Sequence, residues 1–196
     1  MTSSGTKGNT GNCRNANKNK GDCAEKLLQE FYTQQGYKPL SSRKNKNNKK
    51  KSLTKSLTNK QGNGIDHAFT NKKGELVFIE TKGTSNPLST RIPLSKLQKK
   101  GGKKYIDGRI QAMLDGYHKG EGPWAKYKND KNFQKKIKKL KKFKKKAKKI
   151  TYKKCRVWVK HDKSGCYAKS SPSGKKPHTG TCESHSQKNK PDCQPW

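Results

Sequence analysis

The chain alternates between short stretches with apolar periodicity and longer stretches of lysine and asparagine. Residues 24–35, "AEKLLQEFYTQQ", carry leucine and aromatic side chains at helical spacing and predict an amphipathic helix. Residues 63–69 and 75–82, joined by the turn "NKKG", predict a β-hairpin, and its second strand, "ELVFIETK", is apolar on both faces. Residues 131–150 carry a narrow apolar stripe in an otherwise lysine-rich helix. The chain is therefore expected to combine helices with strands.

The pattern between and beyond these elements predicts the rest of the organisation. A further helix is expected over "SKLQKKGGKKYIDGRIQAMLDGY", or over its later half from Lys103, because two adjacent glycines interrupt it. The stretch "ITYKKCRVWVKHD" alternates like a strand. We expect a flexible segment at 1–20, a folded domain at 21–160 with a basic insert at 41–61, and a basic tail with cysteines and histidines at 161–196.

The amino-acid composition predicts the kind of partner that the chain binds. The chain has 196 residues, and only 26% are hydrophobic, so its core must be small. Lysine and arginine number 49 against 13 aspartate and glutamate, which gives a net charge of +36. Such a surplus predicts a polyanionic partner, with nucleic acid first. No signal peptide and no apolar run long enough for membrane insertion is visible in the sequence.

Six cysteines lie outside the predicted hairpin. Their even count near both ends, without a CxxC pair, predicts disulfides if the chain meets an oxidising compartment. Zinc ligation together with neighbouring histidines, and free thiols, are the alternatives. The residues concerned are Cys13, Cys23, Cys155, Cys166, Cys182 and Cys193, with His161, His178 and His185.

The predicted hairpin ends in a group of charges. Glu80 and Lys82 lie two positions apart on one strand and therefore share a face, and Asp66 on the partner strand reaches the same end of the sheet. Charges that end a buried strand need partners. Two carboxylates suit a hard cation such as Mg²⁺ or Mn²⁺, which lowers the pKa of bound water and polarises a phosphoryl oxygen. The alternative is a structural salt bridge.

The same residues resemble a known family. "GNGIDHAF…LVFIETK" is similar to the "GxID…VFVEVK" form of the PD-(D/E)xK nuclease superfamily, although Ile65 stands where that motif has proline. "AEKLLQEFYTQQGYKPL" resembles the first helix of such members, in which a glutamate, here Glu25 with Glu30 as a second candidate, precedes the apolar positions. The resemblance covers roughly residues 21–120. It implies an α/β fold with a restriction-endonuclease-like core, in which a mixed central sheet is flanked by helices.

The resemblance also implies roles for individual residues. Asp66 and Glu80 would bind the metal, with help from Glu25. Lys82 would act on the attacking water. Gln111, in "GRIQAML", occupies the place where several members add a catalytic glutamine.

These residues predict a metal-dependent endonuclease, a phosphodiester hydrolase that cuts DNA with low sequence specificity. Lysine suits backbone contacts, and arginine, which reads bases, is scarce. Trp124, Trp158 and Tyr127 are candidates for stacking on unpaired bases, with core packing as the alternative for both tryptophans. The alternatives to a DNase are an RNase that cleaves tRNA and a non-catalytic nucleic-acid-binding protein.

The small basic chain also resembles nuclease toxin domains used in bacterial competition. That resemblance implies secretion, or delivery into the cytoplasm of a target cell, and neutralisation by an acidic immunity protein. Without it, a cytoplasmic location is expected.

Overall fold

The computed structural model describes residues 16–44, 50–57, 64–86, 88–160, 182–184 and 190–196. The helices are α1 (Ala16–Gln34), α2 (Gly102–His118) and α3 (Lys131–Lys146). The strands are β1 (Lys38–Pro39), β2 (Ser41–Lys44), β3 (Lys50–Ser52), β4 (His67–Thr70), β5 (Glu75–Thr84), β6 (Lys149–Trp158) and β7 (Asp192–Pro195). Short 3-10 helices occupy Lys55–Leu57, Gln98–Lys100 and Gly122–Tyr127.

Five of the strands form one mixed sheet in the order β1-β4-β5-β6-β7. The pair β5–β6 is parallel, and the other three pairs are antiparallel. A parallel pair needs a long crossover, which α2 and α3 supply between β5 and β6. Strands β2 and β3 form a separate antiparallel pair. The predicted α/β class, with a mixed sheet flanked by helices, is confirmed.

The central strand β5 is covered on both faces, as its sequence predicted. Leu76 and Phe78 pack in a core shared with α2 and α3. Val77 and Ile79 pack on the opposite face with Leu28 of α1. Because side chains alternate along a strand, each face of β5 belongs to a different helical layer. The charged residues follow directly after these apolar positions, at the carboxyl end of the strand.

Helix α3 has a clear start and one buried stripe. The side chain of Asp130 accepts hydrogen bonds from the backbone N–H groups of Asn132 and Phe133 at 2.8 and 3.0 Å, so it caps the helix. Phe133, Ile137 and Leu140 are buried in the core. The helix contains ten lysines, and most of them lie on its outer face.

Two helix boundaries in the structure differ from the predicted ones. Helix α1 begins at Ala16, inside the segment 1–20 for which flexibility was predicted. Helix α3 ends at Lys146, and the chain is extended from there, so that Ile150 belongs to β6 and not to the lysine-rich helix. The apolar stripe continued past the true end because a strand that packs on the same core follows the helix at once.

The predicted basic insert at 41–61 contributes to the core. Strands β2 and β3 lie within it, and Leu53 and Leu57 are fully buried. The indole Nε1 of Trp124 donates a hydrogen bond to the carbonyl oxygen of Leu57 at 3.0 Å. Two leucines are therefore enough to attach this lysine-rich segment to the α2–α3 layer.

Part of the tail is attached to the sheet. Strand β7 pairs with β6, and disulfides join Cys155 to Cys193 and Cys23 to Cys182. The predicted disulfides are thus confirmed for these four cysteines. The other cysteine and histidine candidates lie outside the described residues: Cys13, Cys166, His161, His178 and His185. Within the described parts of the chain, no helix combines the length and apolar character that a membrane crossing requires.

Candidate functional site

The end of the β4–β5 hairpin brings two carboxylates together. His67 pairs with Ile79, so the antiparallel register places Asp66 opposite Glu80 and on the same face of the sheet. The backbone N–H of Thr81 donates to Oδ2 of Asp66 at 2.8 Å, which fixes the orientation of this carboxylate. The hairpin therefore converts a separation of fourteen residues in sequence into direct cross-strand neighbours.

Lys82 joins this pair through its strand position. Glu80 and Lys82 share one face of β5, and the Nζ atom of Lys82 lies 2.7 Å from Oε1 of Glu80. The side chain of Glu80 is 5% exposed and that of Lys82 is 28% exposed. We call Asp66, Glu80 and Lys82 the carboxylate–lysine cluster. Its lysine end is the more exposed one.

A fourth polar side chain, which was not among the predicted site residues, contacts Glu80. Gln98 is buried, and its Nε2 donates to Oε1 of Glu80 in a short hydrogen bond. Its Oε1 accepts from the backbone N–H of Ser95 at 2.8 Å, and the hydroxyl of Ser95 accepts from the N–H of Gln98 at 3.3 Å. The indole of Trp196 donates to the Gln98 carbonyl at 2.9 Å. Gln98 is thus fixed from three directions.

The sequence did contain a signal for Gln98. Ser95 and Gln98 have the Ser-x-x-Gln spacing of a capping box, and the structure contains its two reciprocal hydrogen bonds. A capping box predicts a local turn and orients the glutamine, but it says nothing about the distant strand that its amide meets. That contact exists because the segment crosses the carboxyl end of β5.

Gln111 does not join the cluster, although the family resemblance implied a catalytic role for it. Its side chain lies on an exposed face of α2 and donates to Oδ1 of Asp115 at 3.0 Å. The buried residue of α2 that faces the cluster is Tyr105, whose pKa is raised by burial and by the charge of Glu80. The glutamine contact therefore comes from the segment before α2.

Helix α1 brings Glu25 toward the cluster from the other side of the sheet. A Cβ atom on Gly83 would lie 3.0 Å from the Cβ of Ala24 and from the carbonyl oxygen of Lys20, so glycine allows α1 to pack closely on β5. The negative charge of Glu25 acts on Asp66. The second candidate, Glu30, is exposed and forms a surface ion pair with Lys26 at 3.9 Å.

Several acidic side chains lie close together in the cluster and affect one another's ionisation. Burial raises the pKa of Asp66 well above its ordinary range, and the charges of Glu80 and Glu25 raise it further. The Thr81 hydrogen bond and Lys82 oppose that rise. Burial lowers the pKa of Lys82, but the charge and hydrogen bond of Glu80, with Asp66, outweigh it and leave that pKa raised. Lys82 is therefore a protonated ammonium at neutral pH.

The donor chemistry of this cluster fits a hard divalent cation. Among the described residues, no group of three His, Cys, Asp or Glu side chains has the arrangement of a metal site. Mg²⁺, however, is commonly held by one or two carboxylates, with water and substrate phosphate as its remaining ligands. Asp66 and Glu80 provide such a pair, and a cation between them would offset the repulsion that raises the pKa of Asp66.

The aromatic candidates for base stacking are placed in or against the core. Trp124 is fully buried, and Trp158 is 5% exposed. Tyr127 stacks on Phe133 with ring centres 4.1 Å apart. Trp124 thus packs in the core, whereas Trp158 is buried against the guanidinium group of Arg156.

No family model, curated protein or solved structure matches this chain significantly. The function must therefore be inferred from the side chains of the protein itself.

Proposed function

We propose that this protein is a metal-dependent nuclease that hydrolyses phosphodiester bonds of DNA with low sequence specificity. The observation that carries the proposal is the carboxylate–lysine cluster. Two carboxylates from adjacent antiparallel strands share one face, and an ammonium lies 2.7 Å from one of them. A mere salt bridge would explain Glu80 and Lys82, but it would not explain why a third acidic group, Asp66, is buried where Glu80 and Glu25 make its ionisation unfavourable.

The residues of the site would have three different roles. Asp66 and Glu80 would hold Mg²⁺ or Mn²⁺, which when bound supplies a Lewis acid and a water of lowered pKa. Gln98 and the Thr81 N–H keep the two carboxylates oriented. Lys82 is protonated, so it suits stabilisation of the negative charge that develops on phosphorus better than proton abstraction.

The order of elements supports membership in the PD-(D/E)xK superfamily. Helix α1 precedes three antiparallel strands, β1, β4 and β5, and the crossover through α2 and α3 leads to a parallel strand, β6. This order agrees with the restriction-endonuclease-like core that the sequence resemblance implies. The cluster lies at the end of the second and third of these strands.

The lysine-rich helix supports binding of a polyanion. Helix α3 packs its apolar stripe on the face of the sheet that carries Glu80, and its other positions are mostly lysine. Lysine contacts phosphate as a flexible point charge and reads no base. A non-catalytic binder would explain this helix, but two carboxylates facing phosphate would repel it in the absence of a cation.

The direct test is cleavage of nucleic acid. We expect plasmid DNA to be nicked or cut in the presence of Mg²⁺ or Mn²⁺ and to stay intact in EDTA, because the cation offsets the charge of the two carboxylates. Total tRNA in a parallel reaction separates DNase from RNase activity. Cleavage that continues in EDTA would contradict the proposal, and binding without cleavage in either metal would favour the non-catalytic protein.

Binding is expected to depend strongly on salt. The logarithm of the DNA-binding constant should fall linearly with the logarithm of salt concentration, because each lysine bound to a phosphate releases counterions. Replacing the exposed lysines Lys135, Lys138 and Lys142 by glutamine should lower the slope by about one unit for each lysine that binds a phosphate, about three in all. Fluorescence anisotropy with a labelled duplex measures the slope. An unchanged slope would exclude this face of α3 from the interface.

The role as a toxin domain and the acidic inhibitor stay predictions from the family resemblance. The two disulfides agree with passage through an oxidising compartment.

A further inference from the structure

A cavity of about 520 Å³ opens at the carboxyl ends of β5 and β6. It lies between the loop that follows β5, the end of β6 and the segment that leads into β7. Its volume is in the range of pockets that bind small molecules. The residues that matter for its chemistry are Leu88, Ser89, Arg156, Trp158, Lys190 and Asp192.

The register of the sheet places this cavity next to the cluster. Arg156 of β6 pairs with Lys82 of β5 in the parallel ladder. Side chains at paired positions of neighbouring strands share a face, and the strands lie about 5 Å apart. Tyr152 precedes Arg156 in β6 by two pleat repeats, so its side chain lies on the same face, where it stacks on Phe78. Arg156 therefore forms a wall between the cavity and the cluster.

The guanidinium group of Arg156 is buried with part of its hydrogen-bonding capacity unused. The residue is 6% exposed, its Nη2 donates to Oδ2 of Asp192 at 2.5 Å, and its Cζ lies 4.7 Å from the centre of the Trp158 ring. Among the residues that the structure describes, its Nε and Nη1 atoms have no hydrogen-bond partner. Buried donors of this kind are rare in native proteins and require an explanation, and a bound ion is one that such donors can have.

The other walls define what kind of anion the cavity suits. Arg156 and Lys190 carry two positive charges against the one negative charge of Asp192, so a surplus of positive charge faces the cavity. Leu88 is 84% exposed and adds an apolar contact at the rim. A phosphate with an attached sugar and base meets both features, whereas a bare anion meets only the first.

We propose that this cavity binds one nucleotide of the nucleic-acid substrate, next to the scissile phosphate, with its phosphate at Arg156 and Lys190. The proposal rests on the nuclease function proposed above. A strand whose reacting phosphate lies at the cluster would bring a neighbouring nucleotide to the adjacent wall, because Lys82 and Arg156 are side by side. The cavity would thus set the position of the strand along the site.

Binding can be tested without cleavage and without metal. In EDTA, ¹⁵N-labelled Glu80→Gln protein is titrated with deoxyadenosine 5′-monophosphate and, separately, with inorganic phosphate. We expect the indole signal of Trp158 and the Nε–H signal of Arg156 to shift saturably, and the nucleotide to bind more tightly than phosphate.

Variants of exposed residues keep the fold intact and assign the contacts. Lys190→Ala should raise the dissociation constant of both ligands about tenfold, because it removes a charge-assisted hydrogen bond. Leu88→Ala should weaken the nucleotide and leave phosphate unaffected. Lys73→Ala is the matched control, because this exposed lysine lies in the β4–β5 turn at the other end of the strand.

The outcomes distinguish failure of the proposed nucleotide site from failure of the proposed nuclease function. Absence of saturable shifts, or equal weakening by Lys73→Ala, overturns the nucleotide site, and equal affinity for phosphate and nucleotide overturns the apolar contact. If nucleotide binds as expected while Glu80→Gln protein still cuts DNA, the cavity assignment stands and the role of the cluster fails. If cleavage requires Glu80 but no nucleotide binds, the nuclease stands and the cavity assignment fails.

Discussion

Replacing Glu80 by glutamine is expected to abolish cleavage while DNA binding survives. The loss should exceed the roughly 10- to 100-fold that is typical when only an outer partner of a metal ligand is removed. Lys82→Ala should lower the cleavage rate by about 10²- to 10³-fold, since it removes a cation from the place where negative charge develops. Single-turnover cleavage of a labelled duplex measures both losses, and anisotropy in EDTA measures binding.

Matched variants separate the cluster from general effects of charge. Glu30→Gln changes an exposed glutamate of α1 and should leave the rate unchanged. Lys73→Ala removes one of the many exposed lysines and should do the same. Cleavage that persists in both Glu80→Gln and Lys82→Ala would remove the catalytic assignment, whatever the controls show.

The two glutamines provide a sharper comparison. Gln98→Ala should cost about 10- to 100-fold in rate, because Glu80 loses the side chain that orients it. Gln111→Ala should leave the rate unaffected, because its side chain contacts Asp115 on the surface of α2. If instead Gln111→Ala lowered the rate and Gln98→Ala did not, Gln111 would be the catalytic glutamine, as the family resemblance implied.

Asp66→Asn is expected to abolish cleavage and, in the absence of divalent cations, to stabilise the fold. Burial and the charges of Glu80 and Glu25 make the ionised Asp66 unfavourable in the folded state. Asparagine keeps an oxygen that can accept the Thr81 N–H and removes the charge. In EDTA at neutral pH, we expect the free energy of unfolding to rise by about 1 kcal/mol, or roughly 2–4 °C in melting temperature for a chain of this size.

The sign of the pH dependence follows from the raised pKa of Asp66. The folded protein holds this proton more tightly than the unfolded chain, so the contribution of the group is favourable at low pH. That contribution is lost as pH rises from the ordinary pKa of aspartate through the raised value in the folded protein. In EDTA, the stability of the wild-type protein should therefore decline over this window relative to that of Asp66→Asn.

Divalent cations should make the wild-type protein more stable than Asp66→Asn, the reverse of the order expected in EDTA. A cation that binds the folded protein alone stabilises it by about 2.7 kcal/mol at a hundred times its dissociation constant. Wild-type protein should gain this stabilisation in Mg²⁺ or Mn²⁺, and Asp66→Asn should gain little. Asp115→Asn, a neutralised carboxylate on the surface of α2, is the control and should keep the cation response. An equal cation response in all three proteins would argue against a metal at Asp66.

Local patterns predicted those parts of the protein whose chemistry is contained in a single element. The alternation in "ELVFIETK" gave a buried central strand with Glu80 and Lys82 on one face, because the side-chain period of a strand is two. The apolar stripe of Phe133, Ile137 and Leu140 predicted the buried face of α3 for the equivalent helical reason. The position of Asp66 followed from the short hairpin turn, which fixes the register of its two strands.

Tertiary structure alone decided the contacts between segments that are distant in the chain. Gln98 meets Glu80, Arg156 lies beside Lys82, and Trp196 reaches the Gln98 carbonyl because of how the crossover and β7 are placed on the sheet. No periodicity records such placements, since they depend on the packing of whole elements against one another. For the same reason, Gln111 looked suitable in sequence and points to solvent in the fold.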